Sequence, residues 1–204
     1  MTCKEPNDYN LAKAKHIHTE EVAKAKWIAM NIISYLDPTG KERKWEGVTR
    51  TTKSKTEADA VGMITLFKDP VQNCDCVVLI RQYRPAIHST TVEFPAGLID
   101  AGETAEVAAI REMKEETGLT VTVKHVSPAT ATDAGVLDTT MKMVTCEVNL
   151  NDLKEHNLKP NSDEFIEVLI EPLHSLLKRL DDYSNNGDIV DSRVYSWALA
   201  RAYL

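Results

Sequence analysis

The sequence predicts an α/β protein: a mixed sheet sandwiched by helices, with an antiparallel β subdomain at its N-terminal end. Three observations carry this expectation. "AVGMITLF" and "CVVLIRQYR" are apolar runs of strand length. Helical patterning is confined to one central segment and two late ones. Before them, "KAKWIAMNIISYL" and "RKWEGVTRTT" flank Asp37-Pro38-Thr39-Gly40, whose Pro presets φ and whose Gly tolerates positive φ, which reads as a hairpin.

In chain order, residues 1 to about 22 are charged and weakly patterned and read as a loosely held tail. The hairpin follows, and lysine-rich "TTKSKTEAD" reads as a linker, so the expected division is residues 1–56 and 57–204. Buried strands at "AVGMITLF" and "CVVLIRQYR" lead through "PAIHSTT" to a short strand at Val92–Phe94. A helix is expected over 104–117, ended by Gly118 at the C′ position. Strands near 121–131, 139–149 and 165–171 precede helices near 173–182 and 191–203, the last capped by Asp191 or Ser192.

The 204 residues carry a net charge of −7, which opposes bulk binding to nucleic acid. Cys3, Cys74, Cys76 and Cys146 form no C-x-x-C pair, and Cys74 and Cys76 fall on one side of one strand. They read as reduced thiols rather than a zinc site or a disulfide framework. No apolar run approaches the length of a signal peptide or membrane helix, so a soluble protein of the cytoplasm is expected, with the nucleus left open.

The central helix concentrates charge. With Glu112 at 0° on a helical wheel, Glu116 and Glu115 share an arc of about 100° with it, while Met113, Ile110 and Val107 lie on the other side. The expectation is an apolar face turned to the core and an acidic ridge turned away, a platform suited to a hard divalent cation. Most charge runs are solvated faces. The spacing around this one argues otherwise: Gly97, five residues, Glu103, seven residues, then Arg111-Glu112-Met113-Lys114-Glu115-Glu116-Thr117-Gly118-Leu119.

That pattern resembles the signature of the Nudix hydrolases at every defined position; a chance match is on the order of one in ten million. The resemblance implies hydrolysis of a nucleoside diphosphate linked to another moiety, with two or three Mg²⁺ ions, or Mn²⁺ in their place. The metal ligands it implies are Glu112, Glu115, Glu116 and the carbonyl of Ala96. Arg111 would orient the glutamates, and Gly97 and Gly118 would serve loop geometry and helix termination. "RQYRPA" and "EFPAGLIDAGE" are similar to the ADP-sugar pyrophosphatase branch, and the hairpin and C-terminal segment resemble its animal member along nearly the whole chain. This implies ADP-ribose and related ADP-sugars as substrates, AMP and a sugar phosphate as products, and a homodimer whose N-terminal strands help build each site. Trp27 and Trp45 match adenine-stacking positions, Arg50 and Arg84 match positions contacting the diphosphate or ribose, and Glu46 and Asp59 match further substrate positions. The catalytic base falls in "NSDEFIEV": Glu164, with Asp163 and Glu167 as rivals. One departure is Ala134, where the branch usually has proline; it opens oxidised nucleoside diphosphates such as 8-oxo-dGDP as alternative substrates. A non-catalytic nucleotide sensor is the remaining alternative, and the intact box speaks against it.

Overall fold

The computed structural model describes residues 10–53, 57–70, 73–149, 158, 160 and 165–203. Two compact units form, residues 1–53 with 131–139 and residues 54–130 with 140–204.

The first unit is a three-stranded antiparallel sheet of β1 (Lys15–Lys24), β2 (Ile28–Leu36) and β3 (Glu42–Arg50). The hairpin between β2 and β3 is as expected. Asp37 organises its turn: its carboxylate accepts from the backbone N–H of Thr39 and Lys41 at 2.9 and 3.1 Å and from Arg43 Nε at 3.0 Å. Those bonds, led by the Thr39 hydroxyl, hold its carboxyl far below the usual range. Gly40 completes the turn at φ 86°. The expectation of a loose tail to about residue 22 is corrected here, since β1 pairs along its length with β2. Every β1 residue is exposed. With no buried face the strand carries no alternating apolar signal, and ladder hydrogen bonds alone fix it. Residues 131–139 join this unit through backbone bonds to β3: Val48 N–H donates to the Val136 carbonyl at 2.8 Å, and Asp138 N–H to the Val48 carbonyl at 3.3 Å.

The second unit is built on a mixed sheet whose main path runs β12-β6-β5-β4-β10-β8. Its strands are β4 (Ala60–Asp69), β5 (Cys74–Arg84), β6 (Ser89–Glu93), β7 (Ala96–Leu98), β8 (Val121–Val126), β9 (Thr130–Ala131), β10 (Thr140–Val148), β11 (Ile166–Pro172) and β12 (Ile189–Val190). β10 runs parallel to β4 and β12 parallel to β6, and the other named pairings of this sheet are antiparallel. The strand expected over 121–131 breaks after Val126, where Pro128 cannot supply a ladder N–H.

Helices cover both faces. Along β5, Cys76 and Val78 pack into a cluster with Ala108, Ala109 and Met113 of helix α1 (Ala105–Thr117). Val77 and Leu79 point the other way, to Leu176 and Leu180 of α2 (Leu176–Asn185) and to Val194 and Ala198 of α3 (Ser192–Tyr203). Such alternation is the mark of a strand covered on both sides, and it establishes the expected α/β/α sandwich. Each fully buried Met113, Leu180 or Val194 contributes about 2 kcal/mol of apolar burial. Asp191 caps α3 by accepting from Arg193 N–H at 2.8 Å. Cys74 and Cys76 do share one side, their sulfurs 3.7 Å apart, and burial pushes the Cys76 thiol up to about 12. Among the described residues no helix is long and apolar enough to cross a membrane.

Candidate active site

Helix α1 begins and ends as its sequence dictates. The Thr104 hydroxyl accepts from Val107 N–H at 3.4 Å, and Gly118 takes φ 76° while its N–H donates to the Lys114 carbonyl. Its orientation differs from the expectation. Val107 and Ile110 are 51% and 41% exposed, whereas Glu112 and Glu116 are buried beside Ala105, Ala108, Ala109 and Met113. On the wheel the buried arc is centred near the glutamates. Three alanines at 105, 108 and 109 let the helix approach the sheet closely, and the carboxylates then sit inside the fold.

Buried carboxylates need partners. Arg111 supplies most of them. Its Nε and Nη2 meet the two oxygens of Glu103 at 2.9 and 2.8 Å, Nη1 donates to Glu112 at 2.7 Å and to Glu115 at 3.1 Å, and Nη2 also donates to the Leu98 carbonyl. The Glu103 contact, then Glu112, drives the Arg111 pKa still higher, so it is a permanent cation amid the acids. The same contact, with Arg111 as the largest cause, holds Glu103 below the usual carboxylate range. Arg111 thus bonds to three carboxylates at once, those of Glu103, Glu112 and Glu115. Glu116 accepts from Ala96 N–H at 2.9 Å. Gly97, next to Ala96 on β7, has ordinary φ, and its need is close approach: a Cβ there would lie 1.9 Å from the Glu112 carboxyl carbon.

Glu112, Glu115, Glu116 and the Ala96 carbonyl form a set of hard oxygen donors concentrated on one helix turn and the strand it packs against, which fits a divalent cation. Among the described residues no group of three or more His, Cys, Asp and Glu is already arranged to hold a metal ion. Mg²⁺ does not require such a group, since it is commonly held by one or two carboxylates plus waters and substrate phosphates.

Arg84, at the end of β5, forks onto the buried Glu93 of β6 at 2.8 and 2.6 Å. Asp59 is buried, and one of its oxygens accepts the backbone N–H and hydroxyl of Thr140 at 2.7 and 3.1 Å, which pins the start of β10 to β4. Glu167 pairs with Arg81 at 3.2 Å across the β5–β11 ladder. Asp163 and Glu164 lie outside the described residues.

The remaining candidates belong to the first unit. Trp27 is 57% exposed between β1 and β2, with the Lys26 ammonium 4.4 Å from its ring centre. Trp45 is 50% exposed, and its indole N–H donates to the Gly135 carbonyl at 2.9 Å. Ile33 lies opposite Trp45 in the ladder, and Ile28, next to Trp27, is five residues away. Trp27 is therefore six residues from that position, so at 3.4 Å per residue the backbones of the two tryptophans are about 20 Å apart along the strands. Glu46 and Arg50 are exposed on β3.

Sequence reasoning did not assign Glu93 or the pairs Arg81–Asp188 and Arg193–Asp191. The first had a readable signal, an acid two residues before Pro95 in the segment entering the box; Arg81 and Asp188 are brought together only by the fold, whereas Asp191 and Arg193 are two residues apart and their pairing was open to local reading.

Comparison with known proteins matches the NUDIX domain to residues 56–192. The chain is 40% identical to the ADP-sugar pyrophosphatase of Mus musculus over 191 residues, covering 91% of this chain and 87% of the relative. It is 38% identical to the ADP-ribose pyrophosphatase of Saccharomyces cerevisiae over 197 residues, covering 95% and 84%. The crystal structure of an ADP compounds hydrolase matches with a TM-score of 0.65 at 24% identity, covering 95% of this chain and 94% of that one, a likeness of fold. Hydrolases of this family generally use a divalent metal. With the intact box arranged around Arg111, and the family pattern spanning most of the sequence, this chain belongs to the Nudix hydrolase family.

Proposed function

We propose that this chain hydrolyses the pyrophosphate bond of ADP-ribose and related ADP-sugars, releasing AMP and a sugar phosphate, with two or three Mg²⁺ ions per site. The observation that carries the reading is the burial of Glu112 and Glu116 around Arg111, Ala96 and Gly97 in a chain so similar to an ADP-sugar and an ADP-ribose pyrophosphatase. Glu112, Glu115, Glu116 and the Ala96 carbonyl would hold the ions, which supply charge neutralisation on the diphosphate and acidify water. Arg111 holds Glu112 and Glu115 in orientation. Arg84 and Arg50 bind the diphosphate or ribose, a task for guanidinium forks. Glu164 accepts the proton of the attacking water, with Asp163 and Glu167 as the other candidates. Glu46 and Asp59 are the further substrate-binding positions.

Trp27 and Trp45 stack on adenine, one from each subunit of a homodimer. The strand register supports this arrangement, because the backbones of the two tryptophans stand about 20 Å apart along one chain's strands.

Purified protein with Mg²⁺ is incubated with ADP-ribose, ADP-glucose, GDP-mannose, NADH and 8-oxo-dGDP, and products are separated by chromatography. AMP released from ADP-ribose faster than any other product forms supports the proposal. Preference for 8-oxo-dGDP moves the function to oxidised nucleotides, and absence of turnover across the panel leaves the sensor reading.

A further inference from the structure

β5 and β6 pair antiparallel with Arg84 opposite Ser89 and Ile80 opposite Glu93. Side chains alternate along a strand, so Arg84, Gln82 and Ile80 share a face with Ser89, Thr91 and Glu93. Arg84 reaches back along that face, and its Nε and Nη2 meet both oxygens of Glu93. Glu93 is 6% exposed and also accepts the Thr91 hydroxyl, whereas the Arg84 side chain is 44% exposed. The pair therefore has a fixed end and an open end. A guanidinium has five N–H donors, and Glu93 occupies two of them on the side-on edge. Nη1 has no protein partner among the described residues. Glu116 and Asp191 lie close enough to stabilise the Arg84 charge further, after Glu93 itself. Glu93 also lies three residues before Ala96, whose N–H holds Glu116. One short segment, 93–97, thus anchors both the arginine and the box carboxylates.

We propose that Glu93 is a positioning residue for the substrate diphosphate: it grips Arg84 by one edge of the guanidinium and so aims the other edge at the anion bound beside Glu112 and Glu116. This rests on the reading of Arg84 as a diphosphate contact. Two effects of Glu93 oppose each other. Its negative charge weakens attraction of an anion to Arg84, and its grip removes the rotamer freedom that Arg84 would otherwise lose on binding. If charge dominates, neutralising Glu93 tightens binding; if positioning dominates, it loosens binding. The bidentate geometry and burial favour positioning.

The test is Glu93→Gln in the full chain with Mg²⁺ and ADP-ribose. Because the contact exists in both ground and transition states, KM rises about tenfold while kcat stays within about threefold. An unchanged or lower KM overturns the proposal. In an Arg84→Ala background, Glu93→Gln adds no further loss, since Glu93 acts only through Arg84; additive losses make its role merely structural and overturn the proposal. An Arg84→Ala protein with normal KM removes the diphosphate contact and this inference with it, but leaves the ADP-ribose activity standing. Calorimetric binding of inorganic pyrophosphate with Mg²⁺ needs no turnover. An approximately tenfold weaker Kd in Glu93→Gln upholds the positioning role even if ADP-ribose is not hydrolysed, and an unchanged Kd overturns it. Should Glu93→Gln fail to fold, Thr91→Val removes only one of the carboxylate's partners; a smaller rise in KM supports the proposal, and none overturns it.

Discussion

Gly97→Ala separates a functional from a structural need for glycine. Gly97 lies on β7 opposite Val61 of β4, and its φ is not in the left-handed region, so the backbone accepts alanine. The obstacle is Glu112: a Cβ would stand 1.9 Å from its carboxyl carbon and 2.1 and 2.3 Å from its oxygens. Carbon–carbon contact begins at about 3.5 Å, so the carboxyl group must retreat by about 1.6 Å. It can do so by rotation, being the end of a flexible side chain. Alanine gains about 0.4–1 kcal/mol through the unfolded chain. Weakening the 2.7 Å Arg111–Glu112 bond costs about 1 kcal/mol in return. The two nearly cancel, and Tm shifts by less than about 4 °C. Catalysis has no such compensation: displacing a functional group by about 1 Å can cost about 100-fold. The assay is kcat for ADP-ribose, the Mg²⁺ concentration giving half-maximal rate, and Tm by calorimetry. Expected are a kcat lower by about 100-fold, a raised Mg²⁺ requirement and a nearly unchanged Tm. A kcat within about threefold of the parent protein refutes the placement of Glu112. A Tm loss above about 10 °C would instead make the glycine a requirement of the fold.

Three further outcomes are expected. Glu112→Gln removes a charged oxygen donor but keeps the shape, so turnover falls by about three orders of magnitude or more with little change in Tm; parent-like turnover would end its assignment as a ligand. Trp45→Ala raises KM for adenine substrates more than for guanine ones, and Trp45→Phe, which keeps a ring but loses the bond to Gly135, falls between; equal changes for both bases indicate a structural role. Asp188 is held below the usual carboxylate range, first by Arg81, and its side chain is 4% exposed. Its folded pKa lies below the unfolded value of about 3.9, so its stabilisation is complete above that pH and is lost as pH falls through the folded value. Asp188→Asn should lower stability at pH 7 by about 1–2 kcal/mol, discounted for the 36% exposure of Arg81, and flatten the acid limb of Tm against pH below about pH 4. An acid limb as steep as the parent's would contradict this.

The extent of α1 was legible from Thr104 and Gly118, because caps are local chemistry, and the buried strands β4 and β5 from their apolar runs. β1 was not legible: an edge strand exposed on every residue is specified by hydrogen bonds to β2, to which side-chain pattern is blind. The facing of α1 was misread for a more instructive reason. A helical wheel assumes that apolar residues choose the buried side, and here Val107 and Ile110 face outward while Glu112 and Glu116 face the fold. Burying two carboxylates costs several kcal/mol unless each is partnered. Arg111 and the Ala96 N–H supply partners, and both are set by the residues around them: Arg111 by Glu103 eight positions earlier, Ala96 by the strand that Gly97 keeps thin. The spacing that makes the motif recognisable is therefore also the set of contacts that lets the helix turn its charged face inward. Each of Gly97, Glu103 and Arg111 has a physical counterpart to its place in the pattern: a cleared space, an anchor and a cation. The misread orientation and the readable motif have one cause, a helix whose packing is subordinate to partnering its carboxylates inside the fold.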